Sequence, residues 1–178
     1  MDRLKKAFFA NTVNVFEFLE KDFGYRRIPE FIEYEKEFGD SHSAVRYIGS
    51  VVAIDVVWYH TNAAMDVTFT ELANGNFPRE RYFWGNSSGK SRAISLFTLV
   101  VMNQGSSKDF LLGDMTQLGF AKVKKRDELI ITNMVFVLQN LGNLSLEFAS
   151  KVTKGDLSVF PAVMRYQQGL IEKTFPNT

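Results

Sequence analysis

Three runs in the first half of the chain, Val45 to Ile48, Val51 to Tyr59 and Met65 to Leu72, constrain the fold more than any other feature. They are rich in β-branched and aromatic residues, and only short turn stretches at Gly49-Ser50 and at Thr61-Asn62 part them. A parallel crossover needs a dozen or more residues, so connections this short make the neighbours antiparallel. Val52, Ile54, Val56 and Trp58 fall on one face of the middle run, and Val51, Ala53, Asp55, Val57 and Tyr59 on the other. Both faces are largely apolar, the pattern of a central strand covered by helices on at least one side.

Helices flank these strands. Leu4, Phe8, Val15, Phe18 and Leu19 recur at helical spacing, Phe23 follows one turn on, and Gly24 stands where a left-handed terminal residue belongs. Tyr25 to Tyr34 reads as a strand, but Pro29 cannot donate to a ladder and assigns it to a sheet edge. Ser95 to Met102 fits a short helix or a buried strand, and periodicity does not separate the two. Asp127 to Ser150 is a long helix with Ile130, Ile131, Met134, Val135, Leu138, Leu141 and Phe148 on its apolar face, and Gly142-Asn143 is a point where it can bend or break. Gly155-Asp156 offers a stop and an N-cap for a last helix, in which Pro161 either lies within the first turn or marks a kink. The order predicts a single α+β domain spanning residues 1–178. In it an antiparallel sheet of about four strands, in the N-terminal half, packs against an N-terminal helix and a C-terminal group of helices.

Charge and cysteine narrow the chemistry. The 21 Lys and Arg nearly balance 20 Asp and Glu, so no global field draws in nucleic acid or an anionic membrane. The basic runs Lys122 to Arg126 and Arg79 to Arg81 are too short to alter that expectation. The chain has no cysteine, which removes thiolate nucleophiles, disulfides and Cys-based metal sites. Leu96 to Met102, among the longest apolar stretches, is far short of the roughly 20 residues of a membrane-spanning helix. Asn11, Thr12 and Asn14 interrupt any apolar run near the start, so the expected location is the cytoplasm.

No catalytic motif is complete. Gly85 to Ser91 ends as a phosphate-binding loop does, but only three residues separate its glycines and Trp84 occupies the place of the first one. The amide nest depends on that count, so the expected state is an exposed polar loop. His42 and His60 are the only histidines, and Asp40, Asp55 and Asp66 stand at no metal-ligand spacing from them. No serine lies in a G-x-S-x-G context. Neither a metal nor another cofactor is expected.

Two surface features suggest binding instead. Phe77, Tyr82, Phe83 and Trp84 cluster with Arg79 and Arg81 in a segment rich in Gly, Asn and Ser, and arginines among aromatics are the usual anchors of an interface. The competing reading is that these rings plug the edge of the core. Glu33, Glu35 and Glu37 alternate with Tyr34 and Lys36, placing three carboxylates on one strand face that is either solvated or set against a basic partner.

The chain also resembles small bacterial proteins of the immunity type encoded beside polymorphic toxins. The resemblance lies in Phe18-Leu19-Glu20-Lys21-Asp22-Phe23-Gly24-Tyr25, Val45-Arg46-Tyr47, Ile94-Ser95-Leu96 and Gly155-Asp156-Leu157-Ser158-Val159-Phe160-Pro161, four short points spread over most of the sequence. It implies a protein that binds and neutralises a toxin, with no set of functional residues to carry over. The candidate partner-binding residues are therefore Phe77, Arg79, Arg81, Tyr82, Trp84, Glu33, Glu35 and Glu37. Self-association through the apolar second-half helices is a further expectation. The alternative is an enzyme or small-ligand-binding domain whose pocket gathers Asp55, His60, Asp66 or the Ser87 to Ser91 loop.

Overall fold

The three strand runs form β3 (His42–Ile48), β4 (Val52–Tyr59) and β5 (Met65–Glu71), paired antiparallel with β4 in the middle. The computed structural model describes residues 3–29, 32–34, 42–60, 64–78, 81–82, 91–104 and 123–174. The fold is α+β. In addition to the three strands, the chain forms β1 (Arg26–Arg27), β2 (Ile32–Tyr34), β6 (Arg81–Tyr82) and β7 (Ser91–Ser95). Its helices are α1 (Arg3–Val15), α2 (Glu17–Lys21), α3 (Leu96–Gln104), α4 (Val123–Phe148), α5 (Ser150–Thr153) and α6 (Phe160–Thr174).

The strand order is β1-β3-β4-β5-β7-β6, with β2 also paired to β3, and every pairing is antiparallel except β6 with β7. Pro29 falls between β1 and β2, two short strands that share the outer side of β3, as the missing N–H requires. Ser91–Ser95 is strand and Leu96–Gln104 is helix, so the ambiguous run is helical from its second residue and Ser95 is the junction.

Val52, Ile54, Val56 and Trp58 of β4 turn to the helices and join Phe8, Phe16, Val67, Phe69, Leu99, Met134 and Leu138 in one core cluster. The opening helix is broken at Phe16, whose ψ of 15° departs from helical geometry and whose side chain is fully buried. Gly24, at φ 69°, ends α2 in the left-handed conformation expected of it. Tyr25 then enters the core, and its hydroxyl donates to the Thr153 carbonyl at 2.9 Å, tying the N-terminal segment to the end of α5. Burial pushes the Tyr25 hydroxyl pKa up to about 12, so it remains a donor through the physiological range.

The long helix α4 passes unbroken through Gly142. A Cβ there would stand 3.2 Å from Val15 Cγ1, so the glycine is what lets α1 and α4 approach closely. Gly155, at φ 90°, and an Asp156 carboxylate accepting the Ser158 N–H at 2.9 Å turn the chain into α6. Pro161 sits at the second position of that helix, where its missing N–H has no partner to lose.

Candidate functional site

The sheet's other face is buried too, and it is built from small and polar residues: Ala44, Ala53, Asp55, Val57, Thr68, Thr70 and Ala93. Register puts Arg46 opposite Asp55 and Asp55 opposite Thr68. The Arg46 Nε and Nη2 donate to the two Asp55 carboxylate oxygens at 2.7 Å each, a bidentate pair in which Asp55 is 1% exposed. Phe77 closes over this pair, its ring centroid 3.2 Å from the guanidinium carbon of Arg46. An ion pair of this geometry compensates two buried charges and holds β3 to β4.

Asp66 lies two residues before Thr68 on the same strand face, at the end nearest α3. Its Oδ1 accepts the N–H of Val67 at 2.7 Å and that of Phe97, in the first turn of α3, at 3.2 Å. Ser95 caps the same helix by accepting the Thr98 N–H at 3.0 Å. Burial pushes the Asp66 carboxyl up to about 7, and the hydrogen bonds from Val67, Phe97 and Ser95 oppose that rise. The side chain thus locks the start of α3 to β5.

The nucleophile-and-base pair of greatest interest among the described residues is Ser43 with His60, the Ser43 hydroxyl lying 2.7 Å from His60 Nε2. Ser43 pairs with Trp58 in register and therefore faces the helices, with His60 edge-on to the Trp58 ring at 4.6 Å. Ser43 is fully buried, so no substrate carbonyl reaches its oxygen. His60 and the two aspartates consequently lie on opposite sides of the sheet, and the pocket that would have gathered Asp55, His60 and Asp66 does not form. Among the described residues no group of three or more His, Asp or Glu is placed to hold a metal ion. No helix among them is long and apolar enough to cross a membrane.

The residues singled out for partner binding are spread apart. Glu33 is on β2, where it pairs with Ser43 at one side of the sheet, whereas Arg81 and Tyr82 form β6 at the other. Several strand spacings of about 4.8 Å separate them. Phe77 is half-buried, with its ring against Arg46. Arg79, Trp84, Glu35 and Glu37 lie outside the described residues, as do Phe83 and positions 85–90 of the glycine-containing loop.

The most exposed large apolar side chain among those described was not singled out in the sequence. Phe136 is 71% exposed on α4 and Leu146, nearly three turns on, is 43% exposed. Thr132, Gln139 and Asn143 complete the outward stripe. Beside it runs a groove of about 410 Å³ between α4 and the end of α1, lined by Asn14, Val15, Phe18, Gln139, Gly142, Asn143 and Leu146. None of these side chains is charged. The sequence did carry a signal: from Leu129 to Leu146 there is no charged residue, and Phe136 falls off the apolar stripe that predicts the helix. A second cleft, of about 310 Å³, lies where the β3–β4 turn meets the ends of α2 and α5, with Asp22, Tyr25, Gly49 and Lys154 on its walls. Comparison with protein-family models, with curated proteins and with solved structures finds no match.

Proposed function

We propose that this chain is a non-catalytic protein-binding domain, of the immunity type that binds and neutralises a toxin. The observation that carries binding is Phe136, a large aromatic ring 71% exposed on α4 with uncharged Thr132, Gln139 and Asn143 around it. Apolar side chains ringed by uncharged polar ones are what the centre of a protein interface is made of, and charged residues are depleted there. Support for the non-catalytic part comes from the chemical groups themselves. Asp55 is held by Arg46, Ser43 by His60, and Asp66 by the start of α3, so each is engaged in maintaining the fold.

Toxin neutralisation rests on the four short points of resemblance. A cytoplasmic location, with neither nucleic acid nor membrane as partner, belongs to the same reading. The test is to mix the purified protein with the purified product of the adjacent gene and measure stoichiometry by light scattering after gel filtration. A one-to-one complex supports the reading, and loss of that complex on Phe136→Ser or on Glu33→Lys locates the contact. No complex at concentrations of about 10 μM overturns the immunity assignment.

A further inference from the structure

The cleft where the β3–β4 turn meets the ends of α2 and α5 carries chemistry that a protein-docking role for Phe136 leaves unused. We propose that this cleft binds a free α-amino acid with an apolar side chain, its carboxylate held by Lys154 and its ammonium by Asp22.

Charge is the first argument. Asp22 and Lys154 both line one cavity of about 310 Å³, yet they form an ion pair neither with each other nor with another described residue. The charges next to them in sequence are engaged: Lys21 pairs with Glu17 at 2.8 Å, and the Asp156 carboxylate accepts the Ser158 N–H at 2.9 Å. Opposite charges held apart across a cleft favour a small molecule that carries both signs in the reverse order. A ligand of one sign would be attracted by one wall and repelled by the other. An α-amino acid is the simplest molecule with the required pair of charges. The turn adds donors on the Lys154 side, because Val51 Cγ2 lies 3.6 Å from where a Cβ of Gly155 would stand. The N–H groups of Ser50 and Val51 have no acceptor among the described residues, which leaves them for the ligand carboxylate.

Size and apolar surface narrow the class further. Small-molecule pockets run from about 300 to about 1,000 Å³, so a cleft of about 310 Å³ suits an amino acid and is too small for a nucleotide. Phe23 is half-buried and Val51 is 40% exposed on its walls, two apolar groups that a ligand side chain would cover. The walls are fixed without a ligand. The Tyr25 hydroxyl donates to the Thr153 carbonyl at 2.9 Å, the Gly49 N–H to the Val52 carbonyl at 2.9 Å and the Gly155 N–H to the Val152 carbonyl at 2.8 Å. A preformed site spends little of its binding energy on ordering, and for so small a ligand the expected Kd lies between about 100 μM and about 1 mM. None of these residues belongs to the Phe136 face, so amino-acid binding and toxin binding can each fail alone.

The test is a titration of the full chain with L-leucine to about 20 mM, followed by amide proton–nitrogen NMR spectra. The expected result is saturable shifts at the Ser50, Val51, Lys154 and Gly155 amides. N-acetyl-L-leucine lacks the ammonium, L-leucinamide lacks the carboxylate and glycine lacks the side chain, and each is expected to bind tenfold or more weakly. Lys154→Met and Asp22→Asn, both at exposed positions and both checked for unchanged circular dichroism, remove one wall charge each. Lys154→Met should bind leucine no better than leucinamide, and Asp22→Asn should bind leucine no better than N-acetyl-leucine. Absence of saturable shifts at these amides up to about 20 mM overturns the proposal. So does equal binding of leucine and any of the three analogues by the parent, or leucine binding that neither substitution weakens.

Discussion

The guanidinium of Arg46 and the carboxylate of Asp55 meet across β3 and β4 through two 2.7 Å hydrogen bonds, with Phe77 stacked on the cation. Asp55 is 1% exposed and the Arg46 side chain 11%, so neither charge can be rehydrated if the other is removed. Asp55→Ala is therefore expected to destabilise the fold by about 3 to 5 kcal/mol, a drop in Tm of about 6 to 20 °C. The double variant Arg46→Met with Asp55→Leu removes both charges and should recover most of that loss. Urea unfolding of the parent, Arg46→Met, Asp55→Leu and the double variant gives the coupling, and additive single effects would mean that the pair is not the unit described.

Two glycines should respond to alanine with opposite sign. At Gly49 a Cβ would come within 2.8 Å of Tyr25 Cε1 and 2.9 Å of the Val52 carbonyl oxygen, leaving no room beside a ring that is itself fixed to Thr153. Gly49→Ala is expected to cost about 1 to 3 kcal/mol. At Gly169, inside α6, nothing lies within 4 Å of the added atom. Gly169→Ala should stabilise by about 0.5 to 1 kcal/mol through helix propensity and a less flexible unfolded chain. Thermal melts of both variants check the contrast.

These contacts also mark the limit of what the sequence shows. Alternation and turn residues suffice to place β3, β4 and β5 with their core face, because a one-residue slip would exchange Val56 for Asp55 or Val57. Pro29 suffices to put β1 and β2 at an edge. Ser95 is harder: a serine flanked by apolar residues carries no period, and it became legible as a junction only through its bond to the Thr98 N–H. The candidate site was less legible still. Arg46 and Asp55 are adjacent only through strand register, Ser43 and His60 only through the return of β4 along β3, and single-sequence spacing encodes neither. Phe136 is the opposite case, a ring visibly out of phase with its helix, whose exposure follows once the face of α4 is fixed by Met134, Leu138 and Leu141.

The Asp66 carboxyl should give stability an unusual dependence on pH. Its folded pKa is raised to about 7 by burial, above the ordinary value of 3.8, so the folded state binds a proton that the unfolded chain has already lost. The contribution of this group is thus fully present below about pH 4 and is lost as pH rises through about 7. Glu71 has the reverse sign: the hydrogen bond from Arg92 lowers its pKa, so its contribution is present above the ordinary carboxylate range and is lost on acidification. Asp66→Asn keeps an oxygen for the Phe97 N–H and removes the titration. The stability of this variant relative to the parent should increase by about 1 to 2 kcal/mol between pH 4 and pH 8, a partial effect because the side chain is only half-buried. A difference that is flat across that range would mean that burial does not dominate at this carboxyl.

Ser43 supplies the sharpest check on the absence of serine chemistry in the proposed function. Its oxygen is 2.7 Å from His60 Nε2, which is the distance of an activated nucleophile, but an activated nucleophile must also be reached. Ser43 is inaccessible on a strand face that packs toward α1, and its register partner Trp58 contacts Phe8 at a centroid distance of 5.7 Å. The pair therefore acts as a satisfied hydrogen bond, and Ser43→Ala should cost about 1 to 2 kcal/mol by leaving the imidazole short of a partner. A fluorophosphonate incubated with the native protein near pH 8 is expected to leave Ser43 unmodified, as read by mass spectrometry of tryptic peptides. An adduct on Ser43 that disappears in His60→Ala would make this serine a nucleophile and the non-catalytic reading wrong.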